Sequence, residues 1–176
     1  MFEQLRTDFR RHESSILNPA LWAVLNYRFG SWALTLRPAP IRLLASVIYG
    51  VNKYIILYTG NIRLHRKTKI GTNLQLVHVG NILIHPNSSI GDRCRIQHNV
   101  TLAQNMDKND GAPTIGNDVF IGTGAVILGG ITVGDGARIA ANSLVITDVP
   151  PGATAIGVPA RIMKYTGRPA EKTSQD

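Results

Sequence analysis

An aliphatic residue returns at every sixth position through most of the second half of the chain. These positions are Ile84, Ile90, Ile96, Leu102, Ile115, Ile121, Ile127, Val133, Ile139 and Val145. A helix would space its apolar residues by three and four, and a half-buried strand by two, so neither template fits. A period of six is typical of a parallel β-helix, in which each hexapeptide forms one short strand and one turn. Because a single coil cannot bury its own apolar face, we expect the coils to stack around a continuous core.

The first sixty residues follow a different pattern, with apolar and aromatic residues at helical spacing. Asn18 followed by Pro19 is a plausible helix start, with Asn as the N-cap and Pro in the first turn. The pattern predicts helices over residues 3–13, 20–36 and 41–58. We therefore expect three parts: an α-helical segment over 1–60, a β-helix over 61–160 and a C-terminal tail over 161–176.

The chain is basic, with 19 Lys and Arg against 11 Asp and Glu and a net charge of +8. Such a charge suits nucleic acid, an anionic membrane or a polyphosphate ligand. No zinc-finger, RRM or helix-turn-helix pattern occurs, so we expect no nucleic acid partner. Arg28, Arg42 and Lys53 in the predicted helices, and Arg37 between them, are interleaved with Trp and Tyr. Two interpretations of these helices stay open: they cap the first coil and pack between subunits, or they rest peripherally on an anionic inner membrane face.

The single cysteine, Cys94, occupies an inward position of the repeat. A lone buried thiol favours a small core residue over a reactive group. It also favours a reducing compartment, so we expect a cytoplasmic protein.

The repeat is interrupted twice, and candidate catalytic residues lie at the interruptions. The rung after Leu76 arrives two residues late, around His78, and a polar excursion over residues 104–111 follows His98. His78 and His98 are 20 residues apart, which is one lengthened coil, so they should stack on the edge from which the excursion leaves. An imidazole beside a hydroxyl can act as a general base near neutral pH. Both histidines are therefore predicted to be catalytic in acyl transfer. The histidines lack the close spacing of zinc ligands, so we expect no metal.

Three stretches resemble the left-handed β-helix hexapeptide acyltransferases: residues 121–125 (IGTGA), residues 148–154 (DVPPGAT) and residues 157–161 (GVPAR). Over residues 18–164 the chain is similar to the serine acetyltransferase branch. The resemblance implies a mainly β fold with a left-handed parallel β-helix, acetyl-CoA as donor, a homotrimer with active sites between subunits, and His78 as the base. It also implies that the pantetheine arm of the cofactor lies near Ala103, Thr123 and Ala141, with Arg161 and Lys164 near the phosphates.

The acceptor side departs from this branch at three positions. Arg63 and Val77 stand where the branch has Asp, and Ala112 stands where it has His in an Arg-His-Pro sequence. A site without those groups loses charge-assisted bonds to free serine worth roughly 1.5–3 kcal/mol each. The pair of histidines, the shorter loop and the aromatic, basic N-terminus look more like the family members that O-acetylate sugars in bacterial exopolysaccharide synthesis. This resemblance implies a sugar or glycan precursor of bacterial surface polysaccharide as the acceptor. Two alternatives stay open: a serine O-acetyltransferase of the cysteine biosynthesis type, and a non-catalytic trimeric β-helix scaffold.

Overall fold

In the computed structural model, which describes residues 2–12, 18–105 and 111–164, three helices precede fifteen short strands. The helices are α1 (Phe2–Arg11), α2 (Pro19–Ala33) and α3 (Ala39–Gly60). The strands form three sheets. Sheet A holds β1 (Ile62–Arg63), β4 (Ile82–Ile84), β7 (Thr101–Ala103), β10 (Val126–Leu128) and β13 (Leu144–Val145). Sheet B holds β2 (Lys69–Ile70), β5 (Ser89–Ile90), β8 (Thr114–Ile115) and β11 (Thr132–Val133). Sheet C holds β3 (Gln75–Leu76), β6 (Arg95–Ile96), β9 (Phe120–Ile121), β12 (Arg138–Ile139), β14 (Ala153–Ile156) and β15 (Arg161–Lys164).

The chain visits the three sheets in turn, so each circuit adds one coil to a triangular prism. Successive coils pair in parallel and in register, with Leu76 beside Ile96 and Ile96 beside Ile121. The rung residues of the sixfold pattern are buried in the shaft of the prism, and Ile96, Ile121 and Ile139 are fully enclosed. The predicted left-handed parallel β-helix with a helical N-terminal segment is confirmed.

The corners require special backbone. At the corner between sheets B and C, a Cβ on Gly91 would lie 2.6 Å from the carbonyl carbon of Gly116 in the next coil, so only glycine fits. At the corner between sheets C and A, Asn81, Asn99 and Asn142 have positive φ angles of 29°, 58° and 55°. Asparagine tolerates this left-handed region better than most other residues with a side chain.

Side chains of α2 replace a missing coil at the open end of the β-helix. The Tyr27 hydroxyl donates to the carbonyl of Thr68 at 2.7 Å and accepts from the amide of Ile70 at 3.1 Å. The Arg28 guanidinium donates to the carbonyls of Ile70 and Gly71 at 2.9 and 2.5 Å. Backbone groups of the first coil that have no coil beneath them are thus paired.

Helix α1 completes this cap through a buried ion pair. Arg28 Nε donates to the carboxylate of Asp8 at 2.9 Å, and both side chains are almost fully buried. His12 accepts the amide of Leu76 at Nε2 and contacts the carbonyl of Asp8 through Nδ1. Arg28 therefore cannot face a membrane, and its assignment to the basic outer surface is wrong. The sequence pattern showed that Arg28 lies on an aromatic helix, but it did not show that Asp8 of α1 packs against it.

The helix ends agree with the sequence signals to within a few residues. Asn18 caps α2, its side chain accepting from the amide of Ala20 at 2.9 Å. Helix α2 ends at Ala33, three residues before the predicted end, in a turn closed by a hydrogen bond from Thr35 to Trp32. Strand β15 pairs antiparallel with β14 and lies in the segment expected to be a tail.

Candidate active site

His78 and His98 lie one above the other on the corner between sheets C and A, which we call the histidine edge. His78 follows β3 and His98 follows β6, and these strands are paired in register. The ring centroids are 5.5 Å apart and the planes meet at 71°, an edge-to-face contact. His78 is exposed to solvent while His98 is half-buried. The exposed imidazole is placed to take a proton from a molecule bound outside the prism.

The histidine edge continues upward through two predicted cofactor residues. Thr123 occupies the same corner one coil above His98, and Ala141 occupies it one coil further on. The amide and hydroxyl of Thr123 both donate to Gln97 Oε1 at 2.9 Å. Asn142 next to Ala141 donates its amide to the carbonyl of Thr123 at 2.8 Å. Small side chains at these positions leave room for a thin ligand along the edge.

The sequence did not predict the contact of Gln97 with Thr123 or the burial of one face of His98. Gln97 directly follows the rung residue Ile96. Polar side chains at that position of the repeat are usually solvated, so the pattern does not show that Gln97 holds Thr123. His98 Nδ1 is buried without a hydrogen-bond partner. A buried polar atom of this kind is costly unless something pairs with it.

The polar excursion leaves from a different corner, and the expectation that it shares an edge with the histidines is wrong. The chain crosses sheet A through β7 after His98 and departs only beyond Ala103, at the corner between sheets A and B. It returns at Gly111, and residues 106–110 lie outside the described residues. Ala103 therefore lies at the corner between sheets A and B, one strand length away from the corner that holds Thr123 and Ala141. Closeness along the chain is not closeness in space, because one strand separates the two corners.

The C-terminal motif closes the upper end of the histidine edge. The amide of Ala160 donates to the carbonyl of Leu144 at 2.7 Å, and Gly157 donates to the Ser143 hydroxyl at 3.2 Å. Arg161 begins β15 directly after this turn and is exposed. Lys164 ends the same strand, opposite Ala153, and its side chain lies outside the described residues.

The outer face of sheet A beside the histidine edge is polar and carries no negative charge in the described part of the chain. Arg63 lines a cleft there with Asn81, Asn99 and Thr101. The acidic side chains that the structure describes lie elsewhere. Asp92, Asp118 and Asp135 are at the corner between sheets B and C, Asp148 bonds the amide of Thr132, and Asp8 is buried under α2. Val77 is half-buried and supplies no charge next to His78.

Two further groups bear on the chemistry. Burial raises the pKa of the Cys94 thiol to about 11, so this residue is a poor nucleophile. Among residues 2–12, 18–105 and 111–164, no group of three or more His, Cys, Asp or Glu is placed to hold a metal ion.

Comparisons with known proteins agree with this geometry. A family described as bacterial transferase hexapeptide (six repeats) matches residues 112–147. The serine acetyltransferase of Helicobacter pylori strain J99 is 37% identical over 150 residues, which is 85% of this chain and 84% of that protein. The Escherichia coli K12 serine acetyltransferase is 39% identical over 120 residues, 67% of this chain but 43% of that protein.

Solved structures give the same picture. The serine acetyltransferase of Brucella abortus strain S19 superposes with a TM-score of 0.79 at 26% identity, covering 93% of this chain and 68% of that one. The structure of that protein in complex with coenzyme A also has a TM-score of 0.79, at 27% identity over 94% of this chain and 68% of the other.

These relatives overturn the sugar or glycan acceptor expected from the sequence, since they are named serine acetyltransferases. The three substituted side chains do not by themselves identify a different class of acceptor. The similarity shows that the protein is an acyltransferase. A serine O-acetyltransferase fits these relatives better than a sugar O-acetyltransferase does. The chain belongs to the serine acetyltransferase family.

Proposed function

We propose that the protein is a serine O-acetyltransferase that moves the acetyl group of acetyl-CoA to the hydroxyl of L-serine. The observation that carries the proposal is the similarity to the serine acetyltransferase of Helicobacter pylori, which extends over 85% of this chain. The stacked histidines on one edge of the prism supply the base that this reaction needs.

The reaction proceeds by direct transfer. His78 takes the proton of the serine hydroxyl as the oxygen attacks the thioester carbonyl, and a new C–O bond forms. The tetrahedral intermediate then collapses, the C–S bond breaks, and the sulfur leaves as the thiolate, which takes a proton to give free coenzyme A. His98 packs its ring against His78 at 5.5 Å and holds it in position. Burial of the only cysteine argues against a covalent acyl-enzyme.

The cofactor lies along the histidine edge in this proposal. Thr123 and Ala141 leave a shallow groove above His98, and backbone groups there can bond the amides of the pantetheine arm. Arg161 and Lys164, at the start and the end of β15, supply cations for the phosphates.

A homotrimer in the cytoplasm completes the site. In one protomer, Ala103 and the residues at which the excursion leaves and returns lie at the corner between sheets A and B, across sheet A from the histidine edge. A threefold arrangement places this corner of one protomer beside the histidine edge of the next. The groove for the donor then lies between subunits, with Ala103 on one wall and Thr123 on the other.

The test follows acetyl-CoA consumption by the purified full-length chain with L-serine. We expect turnover by the wild type and a fall in kcat of about 10²–10⁴-fold in His78→Ala, because a general base contributes that much. Coenzyme A binding, measured by calorimetry, should survive in the variant. Arg93→Gln is the control, since Arg93 is exposed at the corner between sheets B and C, away from both corners that form the proposed site.

Two results would sink the proposal. A wild type that binds coenzyme A but leaves L-serine unchanged would show that serine is not the acceptor. A wild type that neither binds coenzyme A nor turns over would return the chain to the scaffold alternative.

A further inference from the structure

Helix α3 carries a large apolar surface that nothing in the described part of the protomer covers. Its exposed fractions range from 44% for Ile48 to 87% for Tyr58. The exposed apolar residues are Ile41, Leu43, Leu44, Val47, Ile48, Val51, Tyr54, Ile55 and Tyr58. The helix is buried only at Ala45, Tyr49, Ile56 and Gly60. Exposed apolar patches of this extent mark interaction surfaces in soluble proteins.

Helix α3 turns its apolar side toward solvent, the reverse of an ordinary surface helix. Residues turn by about 100° each along a helix, so the buried positions form one narrow stripe. The nine exposed apolar residues together fill the opposite side without a polar interruption. The polar residues Arg42, Ser46, Asn52 and Lys53 lie near the buried stripe. A helix that only capped the prism would turn its apolar side toward the prism.

Aromatic residues of α2 extend this surface. Trp22 and Phe29 line an apolar groove together with Ile48 and Ile55 of α3. Trp22 is 51% exposed. Together with Tyr54 and Tyr58, it gives the surface the amphipathic rings that favour the boundary between headgroups and acyl chains.

The positive charge of the protein is concentrated around the same helix. Residues 14–91 contain eight of the 19 Lys and Arg and none of the 11 Asp and Glu, so the remaining eleven basic and eleven acidic residues balance. The whole net charge of +8 therefore comes from this one segment. Apart from the buried Arg28, its cations are exposed or half-buried: Arg37, Arg42, Lys53, Arg63, Arg66, Lys67 and Lys69.

The neighbours of His65 report the local field. The pKa of His65 is lowered by burial and then by the nearby charges of Lys53, Lys67 and Arg66. Lys53 and Arg63 line a common cleft with Tyr54 at the base of α3. A surface with these properties attracts anions.

Helix α3 is also long and apolar enough to cross a membrane, judged by its 22 residues and its composition. Its packing argues against crossing. The buried stripe runs from Ala45 to Gly60 and rests on α2 and β1 along that length. The helix is thus held against one body from Ala45 to its C-terminal end, which suits a helix lying parallel to a surface.

We propose that α3 docks the enzyme on the surface of an anionic lipid membrane. The outward apolar side enters the acyl boundary, and the surrounding lysines and arginines contact lipid phosphates. Charge favours this occupant over a second copy of the same surface, because pairing two copies would bring together two segments that have no carboxylate between them. The inference is independent of the acetyl acceptor.

The test measures cosedimentation of the full-length protein with lipid vesicles. We expect binding to phosphatidylcholine vesicles that contain phosphatidylglycerol, and little binding to phosphatidylcholine alone. Leu44→Gln/Val51→Gln should weaken binding about tenfold or more, because apolar burial drives insertion of such helices. Arg42→Gln/Lys53→Gln should weaken it about fivefold for each charge removed and flatten its salt dependence.

The matched control is Ile146→Gln/Ile156→Gln, which changes two exposed isoleucines of the β-helix with exposed fractions of 48% and 44%. It should bind vesicles like the wild type, and circular dichroism should show that all variants are folded. Three outcomes would overturn the proposal. The wild type stays in the supernatant while Leu44→Gln/Val51→Gln lowers the molar mass, which assigns the surface to a second copy. Binding is equal on both kinds of vesicle. Cell membranes retain the protein through high salt and alkaline carbonate, as they retain a spanning helix.

Discussion

Val77 precedes the proposed base, and its amide donates to the carbonyl of Ile96 at 3.0 Å. The histidine edge has no carboxylate beside it in the described part of the chain, so in the proposed reaction the ammonium group of serine lacks an ionic partner there. We expect Val77→Asp to lower the KM for L-serine about tenfold, because a charge-assisted bond contributes roughly 1.5–3 kcal/mol. Initial rates across a serine titration provide the measurement. Val77→Asn adds the polar group without the charge, and an equal gain from it would contradict this explanation.

Cys94 makes the stability of the protein decrease at alkaline pH. Its thiol is fully buried, and burial raises its pKa to about 11. An unfolded thiol ionises near pH 8.5, so unfolding releases a proton between these two values, and stability falls as pH rises through that interval. Below it, the thiol is neutral in both states and contributes no pH dependence.

The measurement is urea unfolding of the wild type and Cys94→Ala at about pH 7 and about pH 10. From the lower to the higher pH, the unfolding free energy of the wild type should fall more than that of Cys94→Ala. A constant difference would show that the thiol ionises in the folded state as easily as in the unfolded one.

At the scale of elements, Arg28 joins α1, α2 and the first coil. It donates to the carboxylate of Asp8 and to two carbonyls at the start of the β-helix. Arg28→Met should lower the unfolding free energy by about 3–5 kcal/mol, because Asp8 would remain buried with an uncompensated charge. Urea unfolding followed by circular dichroism measures the loss.

The comparison pair is Arg93 and Asp118, which are bonded at 2.6 Å but exposed. Arg93→Met should leave the urea midpoint unchanged, since exposed ion pairs are solvated in either state. Adding Asp8→Leu to Arg28→Met should restore part of the lost stability. A double variant as unstable as the single one would show that the carbonyl bonds, and not the stranded carboxylate, account for the loss.

Periodicity predicted the elements well and their neighbours only in part. The rung residues identified the coils, and the 20-residue spacing of His78 and His98 predicted the stacked pair. The spacing could not show which corner the excursion leaves, because this depends on the strand that lies between. The ion partner of Arg28 was also hidden, since Asp8 lies in another helix and only the packing of α1 on α2 joins them.

At the scale of the whole molecule, the prism behaves as a stack in which each coil supports its neighbours. Ile121 is fully buried in β9, between the coils of β6 and β12. Ile121→Ala should cost about 2–5 kcal/mol, because the cavity lies in the shaft where the surrounding coils cannot collapse. Ile156→Ala, at a partly exposed site on β14, should change stability by less than about 0.5 kcal/mol. Equal effects in urea unfolding would contradict the stacked-core description.

The acceptor illustrates what a few substituted residues can and cannot show. The changes at Arg63, Val77 and Ala112 led the sequence analysis to a sugar or glycan acceptor, whereas similarity over 150 residues connects the chain with serine acetyltransferases. Local charges modulate how strongly one substrate is held. Similarity along 85% of the chain carries more information about the reaction than three side chains do.

The side chains that cap the first coil also protect the protein from association through that end of the prism. Tyr27, Arg28 and His12 occupy backbone groups that would otherwise form an open row of donors and acceptors at the end of the prism. Such a row is the same template that each coil offers to the next. A chain cut before Ile62 would expose that template while keeping the rest of the stack. Its prisms would then associate through this open end.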